Sequence, residues 1–97
     1  MAKELRIVYT DHLRFRMKLR GIPQGVPVEI WREAKERYYD RATGHSVAVM
    51  TCKIKERVRE WALSYDEKEG IIRLITVPPI KELQKLARIK TERWQRL

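Results

Sequence analysis

Hydrophobic positions follow a helical period in the first part of the chain. Residues 11–20 place Leu13 and Met17 on one face, and Gly21 stands where a helix usually ends. The glycine- and proline-rich segment 21–27 breaks this period, and helical spacing resumes directly after it. The pattern therefore predicts two N-terminal helices.

The middle of the chain changes to β-branched and aromatic runs separated by turns, which is typical of strands. The apolar run at 45–54 predicts a central strand, and the charge-dense segment 53–57 predicts the tip of a hairpin. Residues 71–77 predict the last strand of the set. We expect four antiparallel strands within residues 37–78. The segment 4–10 fits either a short first strand or an extended lead-in.

The last segment, from Ile80 to about Arg96, has the spacing of an amphipathic helix. Its apolar stripe consists of Ile80, Leu83, Leu86, Ala87, Trp94 and Leu97. A tryptophan this close to a terminus is usually held by packing, so we expect this helix to contact something beyond its own domain. The whole pattern predicts one α+β domain over residues 1–97, with two N-terminal helices, a four-stranded antiparallel β-meander and a C-terminal amphipathic helix.

The charge of the chain points to an anionic partner. Its 97 residues carry a formal net charge of +9, with 22 Lys and Arg residues against 13 Asp and Glu residues. Thirteen of the basic residues are arginine, whose planar fork can bond two phosphate oxygens at once. This favours a nucleic-acid partner. The alternative is a heat-adapted source, which a charged fraction of 36% and the absence of asparagine also favour.

Several other classes of chemistry lack their sequence signals. The single cysteine, Cys52, excludes an intramolecular disulfide, and the two histidines, His12 and His45, have no metal-ligand spacing. No metal and no other cofactor is therefore expected. No stretch approaches the ~20 apolar residues of a membrane span, and the N-terminus lacks a signal-peptide pattern. We expect a cytoplasmic protein without a membrane partner.

His12, Arg16 and Arg20 recur at a spacing of four residues, which places them in one stripe on the first helix. In a functional interpretation the stripe faces phosphate, with the histidine moving a proton and the arginines stabilising charge. In a structural interpretation, which we favour, the arginines pair with carboxylates such as Asp40 or Asp66 and attach the helix to the sheet.

A second set of cations alternates along the chain at Lys53, Lys55, Arg57 and Arg59. Along one extended strand these side chains share a side, and around a hairpin they crowd its tip. They form either a ridge that follows a phosphate backbone or a solvated edge that discourages aggregation. Arg73 is flanked by isoleucines, so its charge lies either on an open face or in a pair.

Aromatic residues of the predicted strands have two interpretations as well. They can stack on unpaired bases or pack in the core. We expect Trp61 to belong to the core. Because neighbouring strand residues face opposite ways, one of Tyr38 and Tyr39 should point outwards.

The motif H-x-x-x-R-x-x-x-R-G-I at residues 12–22 resembles the opening helix of a family of small uncharacterised domains that is grouped with the RelE-like toxins. The similarity covers about residues 7–80, so the helix at 80–97 lies outside it. The matching strand segments are Tyr38–Asp40, Val47–Cys52, Arg59–Asp66 and Ile75–Ile80. The resemblance implies a RelE-like fold, a compact antiparallel sheet with helices packed on one face.

The resemblance also implies an activity. Active members of that superfamily cleave messenger RNA without a metal, often with a tyrosine or histidine near the C-terminus. This chain has neither residue after its last predicted strand. If it is a metal-free ribonuclease, its proton-transfer group must be His12, His45 or Tyr65, because little else titrates usefully. Phosphate stabilisation then falls to Arg16, Lys53, Arg59 and Arg73.

Three hypotheses about function stay open. The first is an RNA-binding RelE-like domain that cleaves messenger RNA as the toxin of a pair with an acidic antitoxin. The second is a non-catalytic nucleic-acid-binding module, and the third is a protein-interaction domain whose last helix binds a partner or a second copy. The missing C-terminal tyrosine favours the last two, and the charge favours the first two. The candidate RNA-binding residues are Arg16, Arg20, Lys53, Lys55, Arg57, Arg59 and Arg73.

Overall fold

The computed structural model describes residues 5–97, which form three helices and seven strands. The helices are α1 (Asp11–Arg20), α2 (Val26–Glu33) and α3 (Glu82–Lys90). The strands are β1 (Arg6–Tyr9), β2 (Glu36–Asp40), β3 (Ser46–Ile54), β4 (Arg57–Lys68), β5 (Ile71–Thr76), β6 (Pro79–Ile80) and β7 (Trp94–Arg96).

The seven strands form one mixed sheet in the order β1-β5-β4-β3-β2-β7, with the two-residue β6 paired beside β4. Strand β1 runs parallel to β5, and the other neighbours are antiparallel. The chain is α+β, but the predicted four-stranded antiparallel meander with two N-terminal helices is wrong. The antiparallel sheet with helices on one face, which the RelE-like resemblance implies, is wrong as well, because the sheet is mixed and α3 lies on the opposite face from α1 and α2. Strand β1 precedes α1 and α2, and α3 lies between β6 and β7.

The strands outside the predicted four are short and pair with distant segments, and β1 is the short first strand that was one of two alternatives for segment 4–10. Arg6 of β1 is in register with Ile71, and Arg96 of β7 is in register with Tyr38. Hydrophobic periodicity needs longer runs than these, so it left β1 undecided and did not indicate β6 or β7. The predicted final helix to about Arg96 is also wrong, because α3 ends at Lys90 and Glu92 has a left-handed φ of 63°.

Local interactions fix both ends of α1. The Thr10 hydroxyl accepts a hydrogen bond from the Leu13 amide at 3.1 Å and donates one to the Ile75 carbonyl at 3.2 Å. Gly21 ends the helix with a φ of 65°, and its amide donates to the Met17 carbonyl. These bonds tie the helix start to β5, so the direction of α1 across the sheet is set.

The sheet carries a hydrophobic cluster on each face. One face, which we call the two-helix face, packs against α1 and α2 through a cluster that includes Leu13, Ile30, Leu63, Ile72 and Leu74. The opposite face, which we call the α3 face, is partly covered by α3. Its smaller cluster consists of Tyr38, Val47, Val49, Ala62, Ile80 and Trp94, with Ile89 packed against it.

The C-terminal tail is held against the α3 face by aromatic and charged contacts. The rings of Tyr38 and Trp94 stack with centroids 5.3 Å apart. The Arg88 guanidinium lies 5.2 Å from the Trp94 ring centroid, and that of Arg96 lies 5.6 Å from the Tyr38 centroid. Trp94 is therefore buried within its own domain.

Candidate nucleic-acid interface

Cations from α1 and from the β3–β4 hairpin meet at Arg20. This residue lines two adjoining depressions of about 250 and 170 Å³. The larger is also lined by Lys55, Arg57 and Arg59, and the smaller by His12 and Arg16. We call the set His12, Arg16, Arg20, Lys55, Arg57 and Arg59 the basic ridge. The remaining lining residues are uncharged. They are Ile54, Trp61 and Pro79 in the larger depression, and Thr76, Val77 and Pro78 in the smaller one.

The buried positions of α1 determine where its cations point. Leu13 and Met17 are buried against the sheet, which fixes the rotation of the helix. His12, Arg16 and Arg20 are exposed and lie along the helix flank that faces the end of β5. With a rise of about 1.5 Å per residue, this flank presents charge over roughly 12 Å.

The hairpin brings the second group of cations beside α1. Ile54 and Arg57 are paired in register, so Lys55 and Glu56 form a two-residue turn, with φ values of 51° and 66°. The Lys55 ammonium group lies against Gly21, where a Cβ would overlap it. A cation is favourable at this place, because the C-terminal end of a helix carries partial negative charge.

The charges of the basic ridge are not neutralised by the protein. Within residues 5–97, no side chain of the ridge forms an ion pair or a hydrogen bond, and no acidic residue lines either depression. The structural interpretation of the α1 stripe is not realised. Asp40 is bound by Arg93, and Asp66 is bound by His45.

Two of the seven predicted RNA-binding cations lie away from the ridge. Lys53 precedes the hairpin turn and points to the α3 face, with its Nζ 3.7 Å from a carboxylate oxygen of Glu56. Arg73 of β5 lies on the same face, in register with Asp66. Lys53 and Arg57 would lie on the same face of the sheet if they belonged to one continuous strand. The turn at residues 55–56 separates two strands, so the two side chains lie on opposite faces.

The three predicted proton-transfer residues do not converge. His12 is on α1, beside the ridge, whereas His45 precedes β3 on the α3 face. Tyr65 is 6% exposed in the core of the two-helix face, and its hydroxyl accepts a hydrogen bond from Arg37 Nη1 at 3.0 Å. Arg37 also donates to the carbonyls of Ala34 and Trp31, so this group closes the end of α2.

A polar row crosses three neighbouring strands on the α3 face. His45 Nδ1 lies 2.7 Å from Asp66 Oδ1, and Asp66 is in register with Arg73. An ionised carboxylate can only accept, so Nδ1 carries the proton of this bond and Nε2 of the neutral ring is an acceptor. The sequence did not indicate that Asp66 is the partner of His45, because only the register of the strands brings residues 45 and 66 together.

Outside the basic ridge, the pKa values of Asp40 and Cys52 are shifted in the direction that favours the form each group has at neutral pH. Burial would raise the pKa of Asp40, but hydrogen bonds from Arg93 and the Ala42 amide outweigh it and hold the pKa below its usual value. Burial and the nearby Glu29 carboxylate raise the pKa of the Cys52 thiol. Cys52 is therefore a neutral, half-buried thiol on β3.

The same part of the chain lacks the features of a metal site and of a membrane-spanning helix. Residues 5–97 contain no group of three or more His, Cys, Asp or Glu side chains placed to hold a metal ion. None of the three helices described above has the length and apolar character needed to cross a bilayer. Comparisons of the chain with protein-family models, with curated proteins and with solved structures gave no match.

Proposed function

We propose that the protein binds RNA through the basic ridge. The observation that carries this proposal is the convergence of cations from α1 and the hairpin on Arg20, with no carboxylate in the adjoining depressions of the described chain. Four of the six ridge residues are arginine, the side chain best matched to phosphate oxygens. The choice of RNA among polyanions is a prediction from the resemblance of residues 12–22 to the RelE-like group.

The ridge fits a phosphate backbone better than it fits a protein surface. Exposed ion pairs within a protein are worth little, and free surface cations gain most from an array of phosphates whose counterions they release. Phe15, on the same helix as three of the ridge residues, is 60% exposed and offers an aromatic face to an unpaired base. We therefore expect single-stranded RNA to bind more tightly than duplex RNA.

The proposal is tested by charge reversal on and off the ridge. We expect Arg20→Glu to weaken binding of a labelled RNA of about 20 nucleotides by roughly tenfold or more. Lys68→Glu is the matched control, because Lys68 is exposed at the far end of the sheet and the change in net charge is the same. Fluorescence anisotropy at about 50 mM salt measures both variants.

Three outcomes separate the alternatives. A large effect of Arg20→Glu beside a small effect of Lys68→Glu supports the ridge. Equal effects, or no binding of RNA at this salt concentration, contradict it. Single-stranded DNA of the same sequence is the competitor. Equal affinity for this DNA would mean that the ligand of the ridge is single-stranded nucleic acid in general and not RNA in particular.

A second candidate function, metal-independent RNA cleavage, is favoured by the His45–Asp66 hydrogen bond. In this reaction His45 Nε2 takes the proton of a ribose 2′-hydroxyl, and the resulting oxygen attacks the adjacent phosphorus. The 5′-oxygen leaves and takes a proton from water, which gives a cyclic phosphate and a free 5′-hydroxyl. Arg73, two strands from His45, would stabilise the phosphorane charge.

Cleavage is tested in the presence of chelator, beside binding. We expect His45→Ala to slow cleavage by roughly 10²–10⁴-fold while leaving RNA binding nearly unchanged. His12→Ala is the control for a histidine on the ridge, and Tyr65→Phe is the control for the buried hydroxyl. If wild-type protein binds RNA but does not cleave it, the protein is a binding module and the catalytic candidate fails.

A further inference from the structure

Helix α3 presents its leucines to solvent and its central lysine to the sheet. Leu83 is 80% exposed and Leu86 is 50% exposed. The Lys85 side chain is only 15% exposed and lies between two strands of the α3 face. This is the reverse of the usual orientation of an amphipathic helix on a sheet.

The ion pairs of Lys85 and the packing of Ile89 on the sheet together fix this orientation. Lys85 Nζ lies 2.7 Å from a Glu60 carboxylate oxygen and 3.2 Å from one of Glu36. The Tyr38 hydroxyl donates to the same Glu36 carboxylate at 2.7 Å. Rotating α3 to bury its leucines would separate Lys85 from both glutamates and remove Ile89 from the sheet, and both losses oppose the rotation.

The exposed face of α3 is complementary to itself. Glu82 and Lys90 are both exposed and stand four residues before and four residues after Leu86. In an antiparallel pair of α3 helices with a twofold axis at Leu86, Glu82 of each copy faces Lys90 of the other. The small side chain of Ala87, beside Leu86, lets the two helices approach closely.

We propose that the protein forms a twofold-symmetric dimer through the α3 helices of two copies, with Leu86 on the axis. A strongly acidic partner fits this face less well, because the exposed face of α3 carries one acidic residue, Glu82, as well as one basic residue, Lys90. The basic ridges lie on the other side of each sheet, so they remain outside the contact.

The contact area predicts a weak dimer. Stable interfaces bury about 800 Å² per partner, and one face of a nine-residue helix supplies only part of that. We therefore expect association in the range of roughly 10–1000 μM. Sedimentation equilibrium at about 150 mM salt, where the repulsion between two basic molecules is screened, measures it.

A cysteine on the axis gives the most direct test. In a Cys52→Ser background, Leu86→Cys should form a disulfide-linked dimer under mild oxidation, because residue 86 meets its own copy. Glu33→Cys, exposed at the end of α2, is the control and should stay largely monomeric under the same conditions. Equal cross-linking of the two variants, or a wild-type protein that is monomeric at all these concentrations, would overturn the proposal.

The charge pattern is tested separately. Glu82→Lys and Lys90→Glu should each weaken the dimer by roughly tenfold, since each variant replaces two attractive pairs with two repulsive ones. The double variant Glu82→Lys, Lys90→Glu restores both pairs and should recover most of the affinity. Thermal unfolding checks that each variant is folded, and failure of the double variant to recover association rules out this arrangement of the helices.

Discussion

The buried carboxylate of Asp40 is compensated mainly by Arg93, a residue that is distant in the sequence. Asp40 is 4% exposed, and its two carboxylate oxygens accept hydrogen bonds from Arg93 at 3.0 and 3.1 Å. The Ala42 amide donates a third bond to the same carboxylate at 2.9 Å. The group joins the end of β2 to the segment that leads into β7, so its loss should loosen the C-terminal tail.

Asp40→Asn should lower the free energy of unfolding at pH 7 by roughly 1.5–3 kcal/mol, as expected for hydrogen bonds to a charged group. The pKa of Asp40 is depressed in the folded protein, so its contribution is complete above the unfolded value of about 3.9. It is lost as the pH falls through the lower folded value. Urea unfolding of wild type and variant should therefore converge as the pH is lowered below 4, to within about 0.5 kcal/mol.

The exposed Asp11 provides the control for this measurement. Asp11→Asn should change stability by less than about 1 kcal/mol at pH 7, because this residue lies in the first turn of α1 and only complements the helix dipole. A difference for Asp40→Asn that stays constant as the pH is lowered would mean that the carboxylate charge contributes nothing.

At the scale of elements, the C-terminal segment is a case in which hydrophobic periodicity predicts the wrong secondary structure. Trp94 and Leu97 continue the helical spacing of residues 80–90, so periodicity extends the helix through them. In the structure, the Thr91 hydroxyl bonds the Ala87 carbonyl, Glu92 turns the chain, and β7 pairs with β2. The backbone groups at the edge of β2 need hydrogen-bond partners, and β7 supplies them. A local pattern of apolar residues contains no information about this pairing.

Trp94→Ala should lower the free energy of unfolding by roughly 3–5 kcal/mol, because it removes the ring that stacks on Tyr38 and is covered by Arg88. Leu97→Ala is the matched control. Leu97 is 67% exposed, so its loss should change stability by less than about 0.5 kcal/mol. Chemical denaturation measures both, and similar small effects would mean that the tail is not part of the folded core.

At the scale of the whole molecule, the candidate residues could be read from the sequence, but their grouping could not. Charge and spacing identified Arg16 and Arg20 on a helix and Arg57 and Arg59 near a hairpin. That these groups share one surface depends on β5 lying beside β4 and on α1 crossing toward the hairpin tip. The number and spacing of charges do not tell on which face of the sheet each side chain lies. The sequence therefore grouped Lys53 with Arg57 and Arg59, although it lies on the opposite face.

The salt dependence of RNA binding tests the central claim most directly. If about four to six ridge cations contact the phosphates of a single strand, log affinity should fall with log salt at a slope of roughly −3 to −4. The variant Arg16→Gln, Arg20→Gln, Arg59→Gln should reduce the magnitude of this slope by about 2, since each phosphate contact on a single strand contributes about 0.7. The control variant Lys35→Gln, Arg41→Gln, Lys68→Gln removes the same charge from exposed positions off the ridge and should keep the wild-type slope. Equal slopes for the two triple variants would contradict the assignment of the basic ridge as the RNA-binding surface.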